Sequence, residues 1–361
     1  AIKAALDRAG VGPEQVDYVF MGQVLQAGTG QIAARQAAVN AGVPMTVPAT
    51  TVNKVCLSGL NAIFLADLLI QSGAAEVVVA GGMESMTQAP YLLPGAREGY
   101  RLGDRSVVDS MMYDGLFCAF DQVAMGAGTE KYAASAGIAR ELQDELSAKS
   151  HERASAAIKE GRFAEEIVPV EVPQRRGDPL VVDTDEGVRP GTTVESLATL
   201  RPAFDKAGNI TAGNASQISD GAAAVIVASK VAAERLGAAA PLGEIVGYGQ
   251  VAGPDPSLLT QPSRAIMAAL ESASRSVEEV DLFELNEAFA AVGLASMEDL
   301  SITDDVVNVN GGAIALGHPI GMSGTRLALT LLLELKRRGG GLGAAALCGG
   351  GGQGDALLLA A

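Results

Sequence analysis

Tryptophan is absent from this chain of 361 residues, and aromatic residues make up only 4% of it. Two histidines and three cysteines occur, and no cysteines form a C-x-x-C pair or a Cys/His cluster. The sequence therefore predicts neither a disulfide framework nor a metal site, and it favours a reducing, cytoplasmic setting. No apolar run reaches the length of a membrane-spanning helix, so no membrane association is expected.

Basic residues are also scarce. The chain has 26 Lys and Arg and 42 Asp and Glu, which gives a formal net charge of −16. A general nucleic-acid-binding protein needs a basic surface, which argues against that class. An anionic ligand must then be met by individual arginines or by helix N-termini. Apolar residues reach 48% and glycines number 44, which is typical of a globular protein with an aliphatic core and two or three domains.

One stretch, from Ala49 to Gly82, carries the clearest structural signal. Its pattern predicts a strand at Ala49–Asn53, a helix at Leu60–Gln71 that is apolar on almost every face, and a buried strand from Ala75. Cys56 stands between the first strand and the helix, where the helix N-terminus favours a thiolate nucleophile. A lone cysteine is equally often a small buried hydrophobe, so both interpretations stay open on this stretch alone.

The last third of the sequence repeats this order of elements. We predict a strand at Val306–Asn310, a glycine-rich joint, a helix at Thr325–Arg338 and a strand at Leu342–Cys348. Both joints end in Ser-Gly, at residues 58–59 and 323–324. A duplicated α/β unit would place both joints beyond the carboxyl ends of strands, where such sheets carry their sites.

The remaining segments are less regular. Residues from Thr87 to Gln217 hold many of the charges, tyrosines and prolines, and we interpret them as an inserted subdomain or a lid. Other expected elements are helices at Ala1–Ala9, Gln31–Ala41 and Arg140–Glu160, strands at Tyr18–Met21 and Ala222–Ser229, and extended pieces at Ile167–Val172 and Leu180–Val182.

Few residues are available for chemistry, and they differ in setting. His318 lies in the glycine-rich joint with room for a ligand, whereas His151 belongs to a charged amphipathic helix and is expected on its solvated face. Cys348 ends a predicted strand, and Asn286 follows the run VDLFEL. Two thiols, an imidazole and an amide are the parts for thioester chemistry, in which one thiol accepts an acyl group and a second base removes a proton beside a carbonyl.

A glycine cluster follows Cys348 and satisfies the dinucleotide spacing G-x-G-x-x-G at Gly349, Gly351 and Gly354. That fingerprint requires a helix next and an acidic residue further on, and the sequence offers neither. We interpret these glycines instead as allowing backbone N–H groups to approach a ligand oxygen.

The chain resembles the thiolase family, in particular its acetyl-CoA C-acetyltransferase members, over essentially its whole length. The motifs that carry this resemblance stand in family order: NKVCLSG (53–59), AGGMESM (80–86), RPAF (201–204), TAGNAS (211–216), NEAFA (286–290), NVNGGAIALGHPIGMSG (308–324) and LCGGGGQG (347–354). The family's opening strand and Arg-Thr-Pro loop have no counterpart in this sequence.

The resemblance implies a thiolase fold, an α/β architecture of five layers (α-β-α-β-α) built from two duplicated halves with an inserted loop domain. It implies an N-terminal half from residues 1–88 and 218–240, a loop domain at 89–217 and a C-terminal half at 241–361. The segment from Tyr91 to Asp109 is similar to the family's tetramerisation loop, so a homotetramer built as a dimer of dimers is expected.

The resemblance also implies the catalytic roles. Cys56 would be the acylated nucleophile, His318 its activating base and Cys348 the acid–base that deprotonates the second acetyl-CoA. Asn286 would hold a water that forms one oxyanion hole together with His318, and the backbone N–H groups of Cys56 and Gly350 would form the other. No cofactor or metal is implied, because coenzyme A thioesters are themselves the substrates.

Coenzyme A contacts follow from the same resemblance. An acidic chain needs a local cation for the nucleotide phosphates, and Arg189 matches a family contact position. The other matching positions, including those that would line the pantetheine and acyl end, are Ser196, Phe204, Ala212, Ser216, Met125, Ala288 and Phe289. Cys118 has no family role, and we interpret it as structural.

The expected reaction is ping-pong condensation of two acetyl-CoA to acetoacetyl-CoA and coenzyme A, or its thiolytic reverse, with fatty acid metabolism as the setting. Ala124 stands where many biosynthetic members carry a histidine, which leaves room for a different acyl group. The first alternative is a degradative 3-ketoacyl-CoA thiolase for longer chains. The second is a non-catalytic thiolase-like lipid carrier or scaffold, against which the four intact catalytic positions argue.

Overall fold

The computed structural model describes residues 1–361, which form 11 α-helices and 14 β-strands. The elements of the first part are α1 Ile2–Ala9, β1 Tyr18–Gly22, α2 Ala33–Asn40, β2 Ala49–Val52, α3 Ser58–Gln71 and β3 Val77–Ser85. The middle part contains β4 Tyr91–Leu92, β5 Val108–Asp109, a π-helical segment Met111–Leu116, β6 Phe117–Cys118, β7 Val123–Ala124, α4 Met125–Ser135, α5 Arg140–Lys159, β8 Val170–Val172, β9 Leu180–Val182 and α6 Val194–Ala198. The last part contains β10 Asp220–Ala228, α7 Lys230–Leu236, β11 Glu244–Ala252, α8 Gln261–Ala273, β12 Leu282–Leu285, α9 Ala290–Leu300, α10 Ala313–Leu316, α11 Ser323–Arg338, β13 Leu342–Gly349 and β14 Gln353–Ala360.

The first sheet has the strand order β10-β3-β1-β2. Strands β1, β2 and β3 run parallel, and β10 pairs antiparallel with β3. The valines of β3 are fully buried because helices cover both faces of the sheet, as its unbroken β-branched run predicts. The predicted strands at Ala49–Asn53 and Ala75–Gly82 are thus confirmed, with ends shifted by at most three residues.

The second sheet has the order β11-β14-β13-β12. Strands β12 and β13 are parallel, whereas β14 is antiparallel to both of its neighbours. The predicted strand at Val306–Asn310 is wrong, because only Val307 forms an isolated bridge, with Phe283. Asn308 turns the chain out of the sheet with a φ of 46°, and its side-chain amide bonds instead to both backbone groups of Leu285.

Three apolar clusters separate the layers. The central cluster contains both α3 and α11, which lie between the two sheets, and each outer cluster joins one sheet to helices on its far face. The predicted five-layered arrangement of the thiolase fold is therefore confirmed. Helices α3 and α11 meet at their N-termini, where the Thr325 hydroxyl donates to the carbonyl oxygen of Gly59 at 3.0 Å. A Cβ at Gly59 would lie 2.7 Å from the carbonyl oxygen of Met322, so this approach requires glycine.

The two sheets differ at one edge. In the second sheet β11 covers the outer side of β14, and the interior of β14 is fully buried. In the first sheet, β10 is antiparallel to β3 as β14 is to β13, and so corresponds to β14. Strand β10 has no strand on its outer side and is only partly buried. The outer edge of β10 consequently presents backbone groups without a strand partner.

The middle part of the chain forms three two-stranded hairpins and the helices α4, α5 and α6 around the central layers. The expectation that His151 lies on a solvated face is wrong. His151 is only 5% exposed because the segment around residue 189 covers that face of α5, and its Nδ1 accepts the Arg189 backbone N–H at 3.2 Å. Among all the helices, none has the length and hydropathy that crossing a bilayer requires.

Candidate active site

Cys56 lies in a tight loop between β2 and α3. Val55, just before it, has a φ of 51°, which is costly for a β-branched residue and must be held by its surroundings. The Asn53 side chain accepts the Val55 N–H at 3.0 Å, and the Ser58 hydroxyl donates to the Val55 carbonyl oxygen at 2.6 Å. This loop places Cys56 at the N-terminal end of α3, as the sequence predicts, with 3% of the residue exposed.

The protonation state of Cys56 differs from the sequence-based expectation. The pKa of its thiol is raised to about 12, mainly by burial, which the backbone N–H opposes and to which the negative charge of Glu84 adds a smaller contribution. The expected thiolate is therefore wrong, because the loss of water around the sulfur outweighs the effect of the helix N-terminus. Cys56 must lose its proton to a base at the moment of attack.

His318 is held in one tautomer by its neighbours. The Ser323 hydroxyl donates its only proton to the Pro319 carbonyl oxygen, at 3.0 Å, so it accepts from Nδ1–H of His318, at 2.6 Å. The unprotonated Nε2 of His318 lies 3.2 Å from Nδ2 of Asn286. Burial lowers the pKa of His318 to about 3, with Arg326 contributing, so the imidazole is neutral and Nε2 can take a proton.

Asn286 and Cys348 complete this group. Asn286 follows β12 and is fully buried, and its Oδ1 has no hydrogen-bond partner in the protein, which fits the predicted water. Cys348 is also fully buried, near the end of β13. Burial is the main cause that raises the pKa of its thiol, and the neighbouring Cys56 sulfur adds to the effect. The turn after Cys348 packs on the Cys56 loop, since a Cβ at Gly349 would lie 2.6 Å from the Leu57 side chain.

The glycines after Cys348 form the turn between β13 and β14. Strand β14 follows them, not a helix, so the dinucleotide fingerprint is rejected as predicted. Gly350 packs against Val55, with a Cβ position 3.3 Å from that side chain. The backbone N–H groups of Gly350 and Cys56 donate to no other group of the protein, which leaves both available to a ligand oxygen.

The predicted coenzyme A contacts fall into two groups. Met125 and Phe289 pack on the same apolar cluster as Ala288 and Cys348, and Phe204 meets Phe289 edge-on at 6.4 Å between centroids. The Ser216 N–H donates to the Ala288 carbonyl oxygen at 3.0 Å. The other group, Arg189, Ser196 and Ala212, is exposed. The guanidinium of Arg189 has no ion-pair partner, while Ser196 donates its backbone N–H to the side chain of Thr193, which caps α6.

Sequence reasoning gave no role to several residues that shape the site. Ser323 lies inside a quoted motif but was not recognised as the partner of His318. Lys54, two residues before Cys56, forms an ion pair with the buried Asp355 of β14, at 2.7 Å. Tyr248 donates to the same carboxylate at 2.7 Å. The two contacts to Asp355 join positions far apart in the chain, so no local pattern could have revealed them, whereas Ser323 follows His318 by only five residues.

Two buried thiols, a neutral imidazole and an amide with an unpaired oxygen define an acyl-transfer enzyme that works through cysteine chemistry. Comparison with known proteins makes the assignment specific. The family model described as "Thiolase, N-terminal domain" matches residues 1–231, and the one described as "Thiolase, C-terminal domain" matches residues 239–361. The chain belongs to the thiolase family.

Individual relatives match over nearly their full length. A probable acetyl-CoA acetyltransferase of Mycolicibacterium smegmatis is 58% identical over 99% of this chain and 92% of its own. An acetyl-CoA acetyltransferase of Cupriavidus necator is 54% identical over 99% of this chain and 91% of its own. The crystal structure of the Bacillus anthracis acetyl-CoA acetyltransferase superimposes with a TM-score of 0.95 at 42% identity, covering 99% of this chain and 90% of that one.

Proposed function

We propose that the protein is an acetyl-CoA C-acetyltransferase, which condenses two acetyl-CoA to acetoacetyl-CoA and coenzyme A or catalyses the thiolytic reverse. The observation that carries the proposal is that the turn after Cys348 packs against both neighbours of Cys56. A Cβ at Gly350 would lie 3.3 Å from the Val55 side chain and one at Gly349 would lie 2.6 Å from the Leu57 side chain, so two buried thiols share one site. One thiol can carry the acetyl group while the other moves a proton at carbon. Relatives at 58% and 54% identity that bear this name support the choice of substrate.

In the first half-reaction, Sγ of Cys56 attacks the thioester carbonyl carbon as Nε2 of His318 takes the thiol proton. The N–H groups of Cys56 and Gly350 bind the oxyanion, and each such donor contributes roughly 3 kcal/mol to transition-state stabilisation. The carbon–sulfur bond to coenzyme A then breaks, and the leaving thiolate takes the proton of Cys348. The imidazolium of His318 stabilises the new thiolate at Cys348.

In the second half-reaction, the Cys348 thiolate removes a proton from the methyl group of a second acetyl-CoA. The enolate oxygen is held by His318 and by a water on Asn286, whose unpaired Oδ1 can accept from that water. The enolate carbon attacks the acetyl group on Cys56, and the released Cys56 sulfur recovers its proton from His318. Cys56, His318 and Cys348 regain their starting protonation states, and the net result is transfer of one methyl proton of the second acetyl-CoA to the sulfur of the released coenzyme A.

Coenzyme A would lie along the loop domain of residues 89–217, with its nucleotide phosphates at the unpaired guanidinium of Arg189 and its adjacent parts at Ser196 and Ala212. The pantetheine arm would pass Ser216 and Phe204, and the acyl end would meet Met125, Ala288 and Phe289. The packing of Phe204 supports this route. A Cβ at Gly126 would overlap the Phe204 ring, so the ring can lie beside Phe289 only because residue 126 has no side chain.

The variant Gly126→Ala tests this route. The added methyl group displaces Phe204, so we expect KM for acetyl-CoA to rise about three- to tenfold, the effect of roughly 1 kcal/mol of lost contact, while kcat changes little. Gly128→Ala is the matched control in the same helix, because a Cβ there meets only the side chains of Val123 at 3.7 Å and Asp121 at 3.9 Å, which are ordinary contacts. Equal KM values for the two variants in steady-state assays would contradict the proposed route.

We further propose a homotetramer in the cytoplasm that acts in fatty acid metabolism. The segment from Tyr91 to Asp109 supports the tetramer, since its hairpin exposes Tyr91, Leu93, Val107 and, at 99%, Leu102. The division into two halves, 1–88 with 218–240 and 241–361, around the loop domain agrees with one sheet in each half.

Intact-mass spectrometry after brief mixing with acetyl-CoA tests the proposed function. We expect a gain of one acetyl group, located on Cys56 by peptide mapping and removed by free coenzyme A. A folded protein that gains no acetyl group would contradict the proposal and favour a carrier or scaffold. A thermal unfolding scan of the same sample establishes that the protein is folded.

A degradative 3-ketoacyl-CoA thiolase for longer chains is the second candidate, favoured by the small side chain of Ala124 beside Met125. Turnover of four-, eight- and sixteen-carbon 3-ketoacyl-CoA distinguishes the two. The acetyl-CoA assignment requires the four-carbon substrate to have the highest kcat/KM, and strong preference for a longer chain would replace it with the second candidate.

A further inference from the structure

Two buried glutamates hold the loop that carries His318: Glu287 on the N-terminal side of the histidine and Glu84 on the C-terminal side. Four residues before it, the Ile314 N–H donates to Oε2 of Glu287 at 3.1 Å. Three residues after it, the Gly321 N–H donates to Oε2 of Glu84 at 3.0 Å. The ring of His318 contacts Ser323 and Asn286, but its backbone makes only one hydrogen bond, a long one of 3.4 Å from its N to the Gln217 carbonyl oxygen. The position of the His318 backbone therefore depends on how the flanking residues are held.

Glu84 connects this loop to the first half of the protein. It lies at the end of β3, 5% exposed, and its carboxylate also accepts the N–H groups of Val24 at 2.9 Å and Leu25 at 3.1 Å. The contact leaves no room for a side chain at Gly321, where a Cβ would lie 2.8 Å from Oε2 of Glu84. One carboxylate thus fixes a loop of the first half and the His318 loop relative to each other.

Glu287 connects the other side of the loop to α5. It follows Asn286, is 2% exposed, and accepts the Ser150 hydroxyl at 2.7 Å and Nδ2 of Asn308 at 2.8 Å. The Ser150 hydroxyl in turn accepts the Gly312 N–H at 3.0 Å. Glu287 therefore fixes the start of α10, and through the backbone it also fixes its neighbour Asn286.

Burying a carboxylate is unfavourable unless hydrogen bonds compensate, and each of these groups is compensated by three donors. Burial raises the pKa of both carboxyl groups, and their hydrogen bonds oppose that shift. Neither carboxylate bonds to His318, Asn286 or a cysteine. Displacing a catalytic group by about 1 Å is enough to lower a rate roughly 100-fold, so fixing the loop at two points has a direct catalytic value.

We propose that Glu84 and Glu287 are positioning residues. They hold the His318 loop so that Nε2 of His318 keeps its position relative to Asn286 and Cys56. The inference rests on the proposed function. A residue that only stabilises the fold would not affect kcat selectively. Glu84 and Glu287 should affect the rate of the chemical step more than the affinity for substrate.

The test uses Glu84→Gln and Glu287→Gln in the full chain. Glutamine keeps the shape but replaces one oxygen with NH₂, which faces a donor and leaves it unpaired. We expect kcat to fall roughly 10- to 100-fold with KM changed less than about threefold. Hydrogen–deuterium exchange should show lost protection at residues 313–321, independently of activity.

Glu130→Gln is the matched control. Glu130 is 6% exposed and accepts the N–H groups of Asn209 at 2.7 Å and Ile210 at 2.8 Å, but it fastens a different loop. We expect a loss of thermal stability comparable to that of the other two variants, with kcat within about twofold of the unmodified protein.

Ser150→Ala provides a milder probe should a glutamine variant fail to fold. It removes one donor to Glu287, and we expect kcat to fall roughly threefold to tenfold, with no further loss when it is combined with Glu287→Gln. If kcat is unchanged in Glu84→Gln, Glu287→Gln and Ser150→Ala, while the unmodified protein and the Glu130 control are active, the positioning role is wrong and the proposed function still stands. An inactive unmodified protein would overturn the proposed function and the positioning role together.

Discussion

Replacement of Cys56 by serine is expected to abolish acyl-enzyme formation and to lower kcat by roughly four orders of magnitude or more, as loss of a nucleophile does elsewhere. A serine hydroxyl is far less acidic than a thiol, and the site offers only the neutral imidazole of His318 to take its proton. Burial already raises the pKa of the Cys56 thiol to about 12, so the alkoxide is out of reach. Mass spectrometry with acetyl-CoA and steady-state assays measure both effects.

The third cysteine supplies the control for this variant. Cys118 is buried like Cys56, and its sulfur accepts only the Asp121 N–H, at 3.4 Å. Cys118→Ser should retain acetylation and turnover within about threefold, since it exchanges one atom in a single weak N–H···S contact, and such a hydrogen bond contributes about 1 kcal/mol or less. Acetylation of the Cys56→Ser protein at the normal rate would show that the nucleophile is a different residue.

Replacement of Cys348 by alanine is expected to separate the two half-reactions. Cys56 and His318 remain, so a single acetyl group should still form on Cys56. Condensation should fall roughly 10²- to 10⁴-fold, the usual contribution of a positioned acid–base group, because no thiolate remains to remove the methyl proton. Rapid-quench mass spectrometry measures acylation, and release of acetoacetyl-CoA measures condensation.

An acylation rate reduced as much as the condensation rate would contradict these separate roles for the two thiols. Exchange of the methyl protons of acetyl-CoA with deuterated solvent gives an independent check. The unmodified protein should catalyse this exchange, and Cys348→Ala should not, whereas Cys118→Ser should match the unmodified protein. The readout reports proton removal at carbon and does not depend on carbon–carbon bond formation.

The burial that raises both thiol pKa values also serves the chemistry. A neutral site admits a neutral thioester without displacing tightly held water, and charge then develops beside donors that are already oriented. The ion pair between Lys54 and Asp355 and the hydrogen bond from Tyr248 hold the Cys56 loop against β14. The nucleophile is thus positioned by contacts between the two halves.

Much of the fold could be predicted from the sequence because hydrophobic periodicity is a local property. The buried run after Ala75 predicts β3, the all-round apolar helix predicts α3, and the repeated order of elements predicts two halves. The dinucleotide spacing at Gly349 can likewise be rejected from the sequence, since neither the required helix nor the later acidic residue follows it, and the structure places β14 there. Motif resemblance then supplied the catalytic residues by position.

What only the tertiary structure decided concerns neighbours that are distant in the chain. The sequence pattern predicts a surface position for His151, but in the fold the segment at Arg189 covers it. The pattern also predicts a strand at Val306–Asn310, but the Asn308 side chain bonds to the backbone of Leu285 instead. The protonation of Cys56 depends on the water removed by every layer around it, and not on the helix that follows it in sequence. Local patterns determine which segments become helices, strands and joints, whereas hydrogen-bond partners and desolvation exist only once the halves have packed together, and these set the chemistry of the site.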